Sequence, residues 1–360
     1  MSGDTPRPGS RAGAHGAHPT RRLLVLGAAA AALSAVAGCG LRLDLPQPPP
    51  PVPTRKPAPD EGFLLAVIAD LRALVQAAQS LERSEVDGDA RQLLRDIVAV
   101  QRRQVSVLTG RLTNAGVPTA EIEAATAPTS APTSAPTSAP TSVAATASGS
   151  GTTSTATPAG SATATATATT SPDVAGIRTV DDLAAALGAV GPDRWRSLAA
   201  TTQGTRDLVL SAWSARLASA VLLGETVDPA PAASAARPRV IDQSAPLVYG
   251  FEVVAAQSTG RRRTRALETL DALRRLYLAV SGATTSTPGG WALPFPVTTP
   301  AAAQRLATQV LGTAVDATVE VAGAAPDGPA LDDAARWSGR VQWLAVDWGM
   351  PLSPFPGTAT

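Results

Sequence analysis

The helical fold is decided first by residues 61–81, which read EGFLLAVIADLRALVQAAQSL. The apolar side chains of this stretch recur at alternating steps of four and three residues, which places them on one face of an α-helix. The stripe consists of Leu64, Ile68, Leu71, Val75, Ala78 and Leu81. A second stripe follows Gly88 after a short break, and this arrangement predicts an antiparallel helix pair. Its members are Leu94, Val98, Gln101, Val105, Leu108 and Leu112.

The composition extends the helical prediction to the whole chain. Hydrophobic residues make up 44% of the 360 positions, mainly as Ala, Leu and Val, whereas aromatic residues make up only 3%. No segment alternates between apolar and polar residues for long enough to predict a sheet, so we expect an all-α protein. The net charge of +1 provides no basic stripe for nucleic acid. The single cysteine excludes a disulfide framework.

Further helices are predicted before residue 227. Thr179 and Asp182 have the spacing of a capping box, with Asp in place of the usual Glu. After a Gly-Pro-Asp break, a long helical run extends over about 192–224. We therefore expect an N-terminal helical region made of residues 61–123 and 173–226.

A Pro/Ala-rich linker is predicted at 227–243, followed by a C-terminal helical region. Thr299 and Pro300 predict one helix start, because threonine is a good N-cap and proline suits the first turn. Four helical runs are expected in this region. They cover about 246–257, 261–280, 299–323 and 331–348.

Residues 1–38 have the pattern of an export signal. Arg21 and Arg22 precede an Ala-rich apolar run of about 16 residues, which is too short for a membrane span. The paired arginines favour twin-arginine export, with general secretion as the alternative. The run ends in Val-Ala-Gly-Cys at 36–39, similar to the lipobox of bacterial lipoproteins. We expect cleavage before Cys39 and acylation of its sulfur, which anchors the chain at the extracytoplasmic face of the cell membrane; a buried free cysteine is the alternative.

Two segments have compositions that predict no packed structure. Residues 39–60 contain eight prolines and predict an extended, polyproline-type tether. Residues 124–172 contain four copies of Ala-Pro-Thr-Ser with little apolar bulk and almost no charge, so we expect a disordered insert. A plain flexible insert and an O-glycosylated stalk both fit this composition.

Three short motifs stand in order along the C-terminal region. They read YGFEVVAA at 249–256, WALPFPVT at 291–298 and FPG at 355–357. Together they resemble the ferritin-like domain of unknown function, the DUF4439 family, of exported bacterial lipoproteins. The resemblance covers 244–357; it implies a ferritin-like four-helix bundle and no established activity. Members often carry a Glu-His pair just before the first aromatic residue, where this chain has Ser244 and Ala245.

Removal of the export signal would leave few groups for chemistry. It takes away both histidines, four arginines and one aspartate, so the formal net charge changes from +1 to −2 and Lys56 is the one lysine. A nucleophilic serine needs a His or Lys base, and a ferritin-like di-metal site needs Glu-x-x-His. We therefore expect no catalytic residues, no metal and no cofactor.

The carboxylates of the predicted helices are the remaining candidates. Glu252 and Asp347 have apolar neighbours in the sequence, and we predict them to be buried and paired with arginine rather than with metal. The other four are expected on solvated faces. They are Glu268, Asp271, Asp316 and Glu320. The alternative is an all-oxygen site for Ca or Mn.

Two further predictions concern packing. Gln101 falls on the apolar stripe of its helix and is expected to be a packed, hydrogen-bonded amide. Trp337, Trp343 and Trp348 lie on the last predicted helix, where we expect them in the core, with an exposed partner surface as the alternative.

The basic cluster of the C-terminal region has two interpretations. It consists of Arg261, Arg262, Arg263 and Arg265. Positive charge at a helix start is disfavoured by the helix dipole. We expect a solvated turn, with contact to anionic lipid or polymer as the alternative.

These features predict a lipid-anchored helical lipoprotein with a non-catalytic binding or scaffolding role in the cell envelope. The alternative is a metal-binding protein or metal-dependent oxidase with an all-carboxylate site. The expected partners are the membrane, through lipid on Cys39, and an envelope protein or ligand, with no nucleic acid.

Overall fold

A computed structural model describes five stretches of the chain. They are residues 55–84, 87–127, 176–229, 235–281 and 290–358. All regular structure in these stretches is helical and none of it is β-strand, so the all-α prediction is confirmed. The predicted export signal, with Arg21, Arg22 and Cys39, lies outside the described residues, as do most of the tether and most of the insert.

Eleven helices occupy the described residues. They are α1 (Glu61–Glu82), α2 (Gly88–Asn114), α3 (Thr119–Ala125), α4 (Val180–Gly188), α5 (Pro192–Ala199), α6 (Gln203–Leu222), α7 (Arg237–Gln257), α8 (Gly260–Ser281), α9 (Pro300–Asp316), α10 (Thr318–Gly323) and α11 (Gly328–Asp347).

Helices α1 and α2 form the predicted pair, joined by a short connection at 83–87 and packed along their apolar faces. All six side chains of the α1 stripe are buried. Five of the six in α2 are buried as well, and Val105 is half-buried. Within the described stretches, α1 is the one helix long and apolar enough to cross a membrane. Its stripe packs against other helices, as expected for the core helix of a globular domain.

Two predicted helix starts are confirmed by their hydrogen bonds. The hydroxyl of Thr179 accepts from the amide of Asp182 at 3.1 Å, and the carboxylate of Asp182 accepts from the amide of Thr179 at 2.9 Å, which completes the capping box. The hydroxyl of Thr299 accepts from the amide of Ala302 at 3.2 Å, with Pro300 in the first turn of α9.

The run predicted over 192–224 is two helices rather than one. Helix α5 ends at Ala199 and α6 begins at Gln203. Between them, the carboxylate of Asp60 accepts hydrogen bonds from the amide of Thr202 at 3.0 Å and from its hydroxyl at 2.6 Å. This long-range contact takes up donors at the start of α6 and stabilises the break, which the local sequence pattern does not indicate.

The linker predicted at 227–243 is wrong in its second half, because α7 already begins at Arg237. Pro238 lies in the first turn, where no intrahelical donor is lost. Pro246 lies inside the helix. Burial of Val240 and Ser244 against the core keeps these turns helical despite the two prolines.

The two helical regions share one core. Helix α11 packs against α6 of the N-terminal region as well as against α7 and α9 of the C-terminal region. The contact with α6 is close at Gly339, where an added Cβ would lie 3.0 Å from Cβ of Leu217 and 3.1 Å from the backbone oxygen of Ser214. Glycine at this position therefore allows the two regions to pack directly.

The C-terminal FPG motif closes this core. Backbone oxygens of residues 353–356 accept hydrogen bonds from Gln342 at 2.8 Å, Gln104 at 2.8 Å and Ser211 at 2.6 Å, which belong to three different helices. Phe355 is buried between them. Gly357 has φ +75°, and an added Cβ would lie 2.8 Å from the backbone oxygen of Asp316.

The helix predicted over 299–323 is two helices in the structure, and Gly357 approaches the backbone at the break between them. Helix α9 ends at Asp316 and α10 starts at Thr318, whose hydroxyl donates to the oxygen of Val315 at 2.8 Å. The closing segment packs on the backbone at this break.

Candidate functional site

The two carboxylates predicted to be buried are exposed, so that prediction is wrong. Glu252 has a side-chain exposure of 45% and Asp347 of 42%. Each lies on the outer side of its helix, because the adjacent Phe251 and Trp348 take the core positions. Their predicted pairing with arginine is confirmed. Arg274 donates to Glu252 at 2.7 Å, and Arg265 lies 3.3 Å from Asp347.

The other four candidate carboxylates lie on solvated faces, as predicted. Glu268, Asp271, Asp316 and Glu320 are exposed, and Asp271 and Glu320 pair with Arg275 and Arg239. Across the described stretches, no three side chains of His, Cys, Asp or Glu come together in a group that could hold a metal ion.

Ser244 and Ala245 occupy the interior of the bundle. The hydroxyl of Ser244 donates to the backbone oxygen of Val240 at 2.7 Å and accepts from the indole nitrogen of Trp337 at 2.8 Å. Ala245 is buried beside it. The hydroxyl of Ser244 therefore both donates and accepts within the protein, and the methyl side chain of Ala245 has no atom that could bind a metal.

The buried charges are elsewhere, and the sequence analysis missed them. Asp70 of α1 and Arg194 of α5 form a salt bridge in which both side chains are less than a tenth exposed. Asp333 of α11 lies 3.6 Å from Arg237 of α7 and is also buried. In the sequence, the available indication was that Asp70 directly precedes the stripe residue Leu71.

Arg216 of α6 is the most enclosed of these charges. It donates to the backbone oxygens of Ala186 at 2.5 Å, Leu187 at 2.9 Å and Ala189 at 2.9 Å, and so caps the C-terminus of α4. Burial lowers the pKa of Arg216 to about 10, although Asp70 acts in the opposite direction. These hydrogen bonds tie α4 to α6.

A cleft of about 330 Å³ lies between the first turns of α5 and α11, and we call it the α5–α11 cleft. It is lined by Val190, Pro192, Trp195, Arg196, Gly328, Pro329, Asp332 and Arg336. Arg336 donates to Asp332 at 2.7 Å through Nε. Burial raises the pKa of Asp332, and Arg336 counteracts this rise.

The α5–α11 cleft combines an aromatic wall with charged side chains. Trp195 forms a rigid wall, since its indole donates to the oxygen of Val190 at 3.1 Å and its ring meets Trp213 edge-on at 4.8 Å. Apolar walls with two guanidinium groups and one carboxylate suit a small molecule that carries both an apolar body and polar groups.

A second cleft of about 280 Å³ lies between α7, α9 and the WALPFP segment. Its lining is Gln243, Pro246, Leu247, Ala292, Pro294, Gln309, Val310, Thr313 and Ala314. Because Pro246 has no amide hydrogen, the backbone oxygen of Asp242 lacks its usual intrahelical partner beside this cleft. The rings of Tyr249 in α7 and Trp291 in this segment lie 5.9 Å apart and are tilted by 49°.

Gln101 is buried, as predicted, but its predicted hydrogen bonds are wrong. Neither amide atom has a partner in the described part of the chain. Gln104, one turn later, is the buried amide of α2 that is hydrogen-bonded: it donates to the backbone oxygens of Ala212 at 3.1 Å and Pro354 at 2.8 Å.

Two of the three tryptophans of α11 and its end are core residues, as predicted. Trp337 and Trp348 are buried, and the indole of Trp348 donates to Thr269 at 3.0 Å. Trp343 is half-buried under the guanidinium group of Arg340, which lies 4.8 Å from the ring centre.

Comparisons of the chain with protein-family models, with curated proteins and with solved structures gave no significant match.

Proposed function

We propose that this chain is a lipid-anchored lipoprotein on the extracytoplasmic face of a cell membrane, with a non-catalytic binding or scaffolding role. Anchoring is supported by the Val-Ala-Gly-Cys sequence at 36–39, which follows Arg21, Arg22 and a short apolar run. The Pro-rich tether that follows supports a domain held away from its anchor.

We further propose that α7, α8, α9 and α11 form a ferritin-like bundle without a di-iron site. These four helices have 17 to 22 residues each, and α7 packs against the other three. The resemblance of three sequence motifs to the DUF4439 family supports the same arrangement. The additional packing of α11 on α6 joins the bundle to the N-terminal helices.

The hydrogen bond between Trp337 and Ser244 is the observation that carries the non-catalytic proposal. It fills the interior position at which members of the resembled family often have a Glu-His pair. Glu252 of α7 and Asp347 of α11 face solvent and pair with arginines, and the buried Asp333 of α11 lies beside Arg237 of α7. This arrangement favours binding through surfaces and clefts over chemistry in the bundle interior.

Membrane fractionation tests the anchor. Cys39→Ala should move the protein from the membrane to the soluble fraction, whereas Lys56→Ala, a nearby substitution that leaves the cysteine intact, should not. Retention of the Cys39→Ala protein in the membrane would contradict lipidation. Arg21→Lys with Arg22→Lys should block export if the route is the twin-arginine one, and export at the normal level would assign it to general secretion.

Metal analysis tests the role of the bundle. The protein purified from membranes should contain no stoichiometric iron, manganese or calcium. Stoichiometric metal that disappears on Glu252→Ala would contradict the proposal and favour the all-carboxylate alternative.

A further inference from the structure

Two exposed leucines share one face of α8. Leu267 is 48% exposed and Leu278 is 54% exposed, and they are the exposed large hydrophobic side chains of the described residues. They are eleven residues apart, which is close to three full helical turns, so both point to the same side. The opposite side of α8 is buried, largely against α7, through side chains such as Leu273 and Tyr277.

The same helix is rich in arginine. Six arginines and two acidic residues lie between its first and last residues. Three of the arginines have acidic partners, as Arg265, Arg274 and Arg275 pair with Asp347, Glu252 and Asp271.

The first three arginines of α8 are different. Arg261, Arg262 and Arg263 are exposed and form no salt bridge with a described residue. They stand at the helix start, where the dipole disfavours positive charge, so nothing within the helix stabilises them. Anions outside the protein are the partners that such a cluster fits.

We propose that the outer face of α8 rests on an anionic lipid surface. Arginines of the helix bind the headgroups, and Leu267 and Leu278 enter the boundary with the acyl chains. Asp271 lies on the same face, and its ion pair with Arg275 limits its repulsion of the headgroups.

This inference rests on the proposed lipid anchor only for its location in the cell. Fifteen residues lie between Cys39 and Arg55, the first described residue, and a chain of this length can span at most about 55 Å. That reach allows the folded part to lie on the membrane that holds the lipid. The contact with α8 then sets the orientation of the protein, while the acyl chains set its retention.

Helix α2 provides the matched comparison. Its Arg95, Arg102 and Arg103 are also exposed. Helix α2 carries no exposed large hydrophobic side chain. A purely electrostatic attraction would use both helices, whereas the proposed contact uses α8 alone.

An environment-sensitive dye locates the contact. In the full chain with Cys39→Ala, dye attached at Leu267→Cys should shift to shorter wavelength with vesicles of phosphatidylcholine and phosphatidylglycerol, and not with phosphatidylcholine alone. Dye at Ser106→Cys on α2 should not shift with either. Residues 1–38 are the same in both proteins, so any binding through them affects both equally.

Vesicle affinity tests the arginines. The triple change Arg261→Gln, Arg262→Gln and Arg263→Gln should weaken binding to anionic vesicles about a hundredfold, since each arginine near such a surface contributes about fivefold. The same change at Arg95, Arg102 and Arg103 should weaken it less than about twofold.

Three results would overturn the proposal. They are no shift at Leu267→Cys, an equal shift at Ser106→Cys, and an equal loss of affinity from the two triple variants. A shift with a soluble acidic polysaccharide and none with vesicles would also overturn it and assign the face to an anionic polymer. Because these proteins carry no lipid, the result is independent of the fractionation test of Cys39.

Discussion

The indole nitrogen of Trp337 donates a 2.8 Å hydrogen bond to the hydroxyl of Ser244, 93 residues earlier in the chain. Both side chains are buried, and the bond joins α11 to α7. The serine hydroxyl also donates to the oxygen of Val240, so the pair is satisfied inside the protein. A buried polar pair that is satisfied inside the protein favours a single packing arrangement of the helices that carry it.

Ser244→Ala should lower the free energy of unfolding by about 1–3 kcal/mol, because it leaves the buried indole N–H of Trp337 without an acceptor. Urea denaturation measures the loss. Ser106→Ala on the exposed face of α2 should change stability by less than about 0.5 kcal/mol. The double variant Ser244→Ala with Trp337→Phe should lose less than the sum of the two single variants; strict additivity would show that the bond contributes nothing.

Gly339→Ala should destabilise the protein by about 1–3 kcal/mol, since its Cβ would lie 3.1 Å from the backbone oxygen of Ser214 and 3.2 Å from the backbone nitrogen of Ala218, and the two helices would have to shift apart. Gly110→Ala is the matched helical glycine, with open space around it, and should stabilise by up to about 1 kcal/mol. Opposite signs in urea denaturation are the expected result. Equal effects would mean that α6 and α11 do not pack as closely as described.

Gly357→Ala tests the closing segment. The left-handed backbone at this position should lower the free energy of unfolding of the variant by about 1–2 kcal/mol. The clash of the new Cβ with the backbone oxygen of Asp316 should lower it by about 1–3 kcal/mol more. Gly349→Ala has a similar φ of +87° and open space, so it should show the first loss alone. The difference between the two midpoints of thermal unfolding isolates the clash, and no difference would place the segment elsewhere.

Arg216→Met should lower stability by about 3 kcal/mol, because three backbone oxygens at the end of α4 lose a buried charged donor. Arg275→Met removes an arginine of an exposed ion pair and should cost under about 0.5 kcal/mol. Hydrogen exchange should rise in α4 of the Arg216→Met protein, and unchanged protection there would contradict the capping role.

Acid should weaken the contact between Arg55 and Glu61. Two hydrogen bonds of 2.7 Å from the Arg55 guanidinium, together with one from the amide of Ala58, lower the pKa of Glu61 to about 2. The folded pKa is below the unfolded value of about 4.5, so the stabilisation is complete above that value and is lost as the pH falls towards about 2.

Glu61→Gln should therefore remove part of the drop in melting temperature between about pH 5 and pH 2. Glu121→Gln leaves the two short bonds between Arg55 and Glu61 in place and should keep the full drop. An identical acid response in both variants would show that the pair does not contribute to stability.

Local patterns predicted the elements whose causes are local. The capping box at Thr179 and the Thr-Pro start at residue 299 depend on groups three residues apart, and both were confirmed. The stripes of α1 and α2 were confirmed for the same reason, because a period of 3.6 residues fixes which side chains share a face.

Burial predicted from apolar neighbours in the chain was wrong where the position of a residue around the helix determines whether its side chain is buried. Glu252 follows the buried Phe251, yet one step along a helix turns the side chain by about 100°, and it lies in solvent. Gln101 faced the core as predicted, but whether an acceptor lies opposite depends on another helix.

By itself the sequence determined the helical class, the capping residues and the scarcity of groups for catalysis, because these follow from short-range periodicity and from composition. Only the tertiary structure decided which charges are buried, as at Asp70 and Arg216, and that α6 and α11 join two regions at Gly339. Burial and close approach depend on two segments that are distant in the chain, and the sequence of one segment does not show which other segment packs against it.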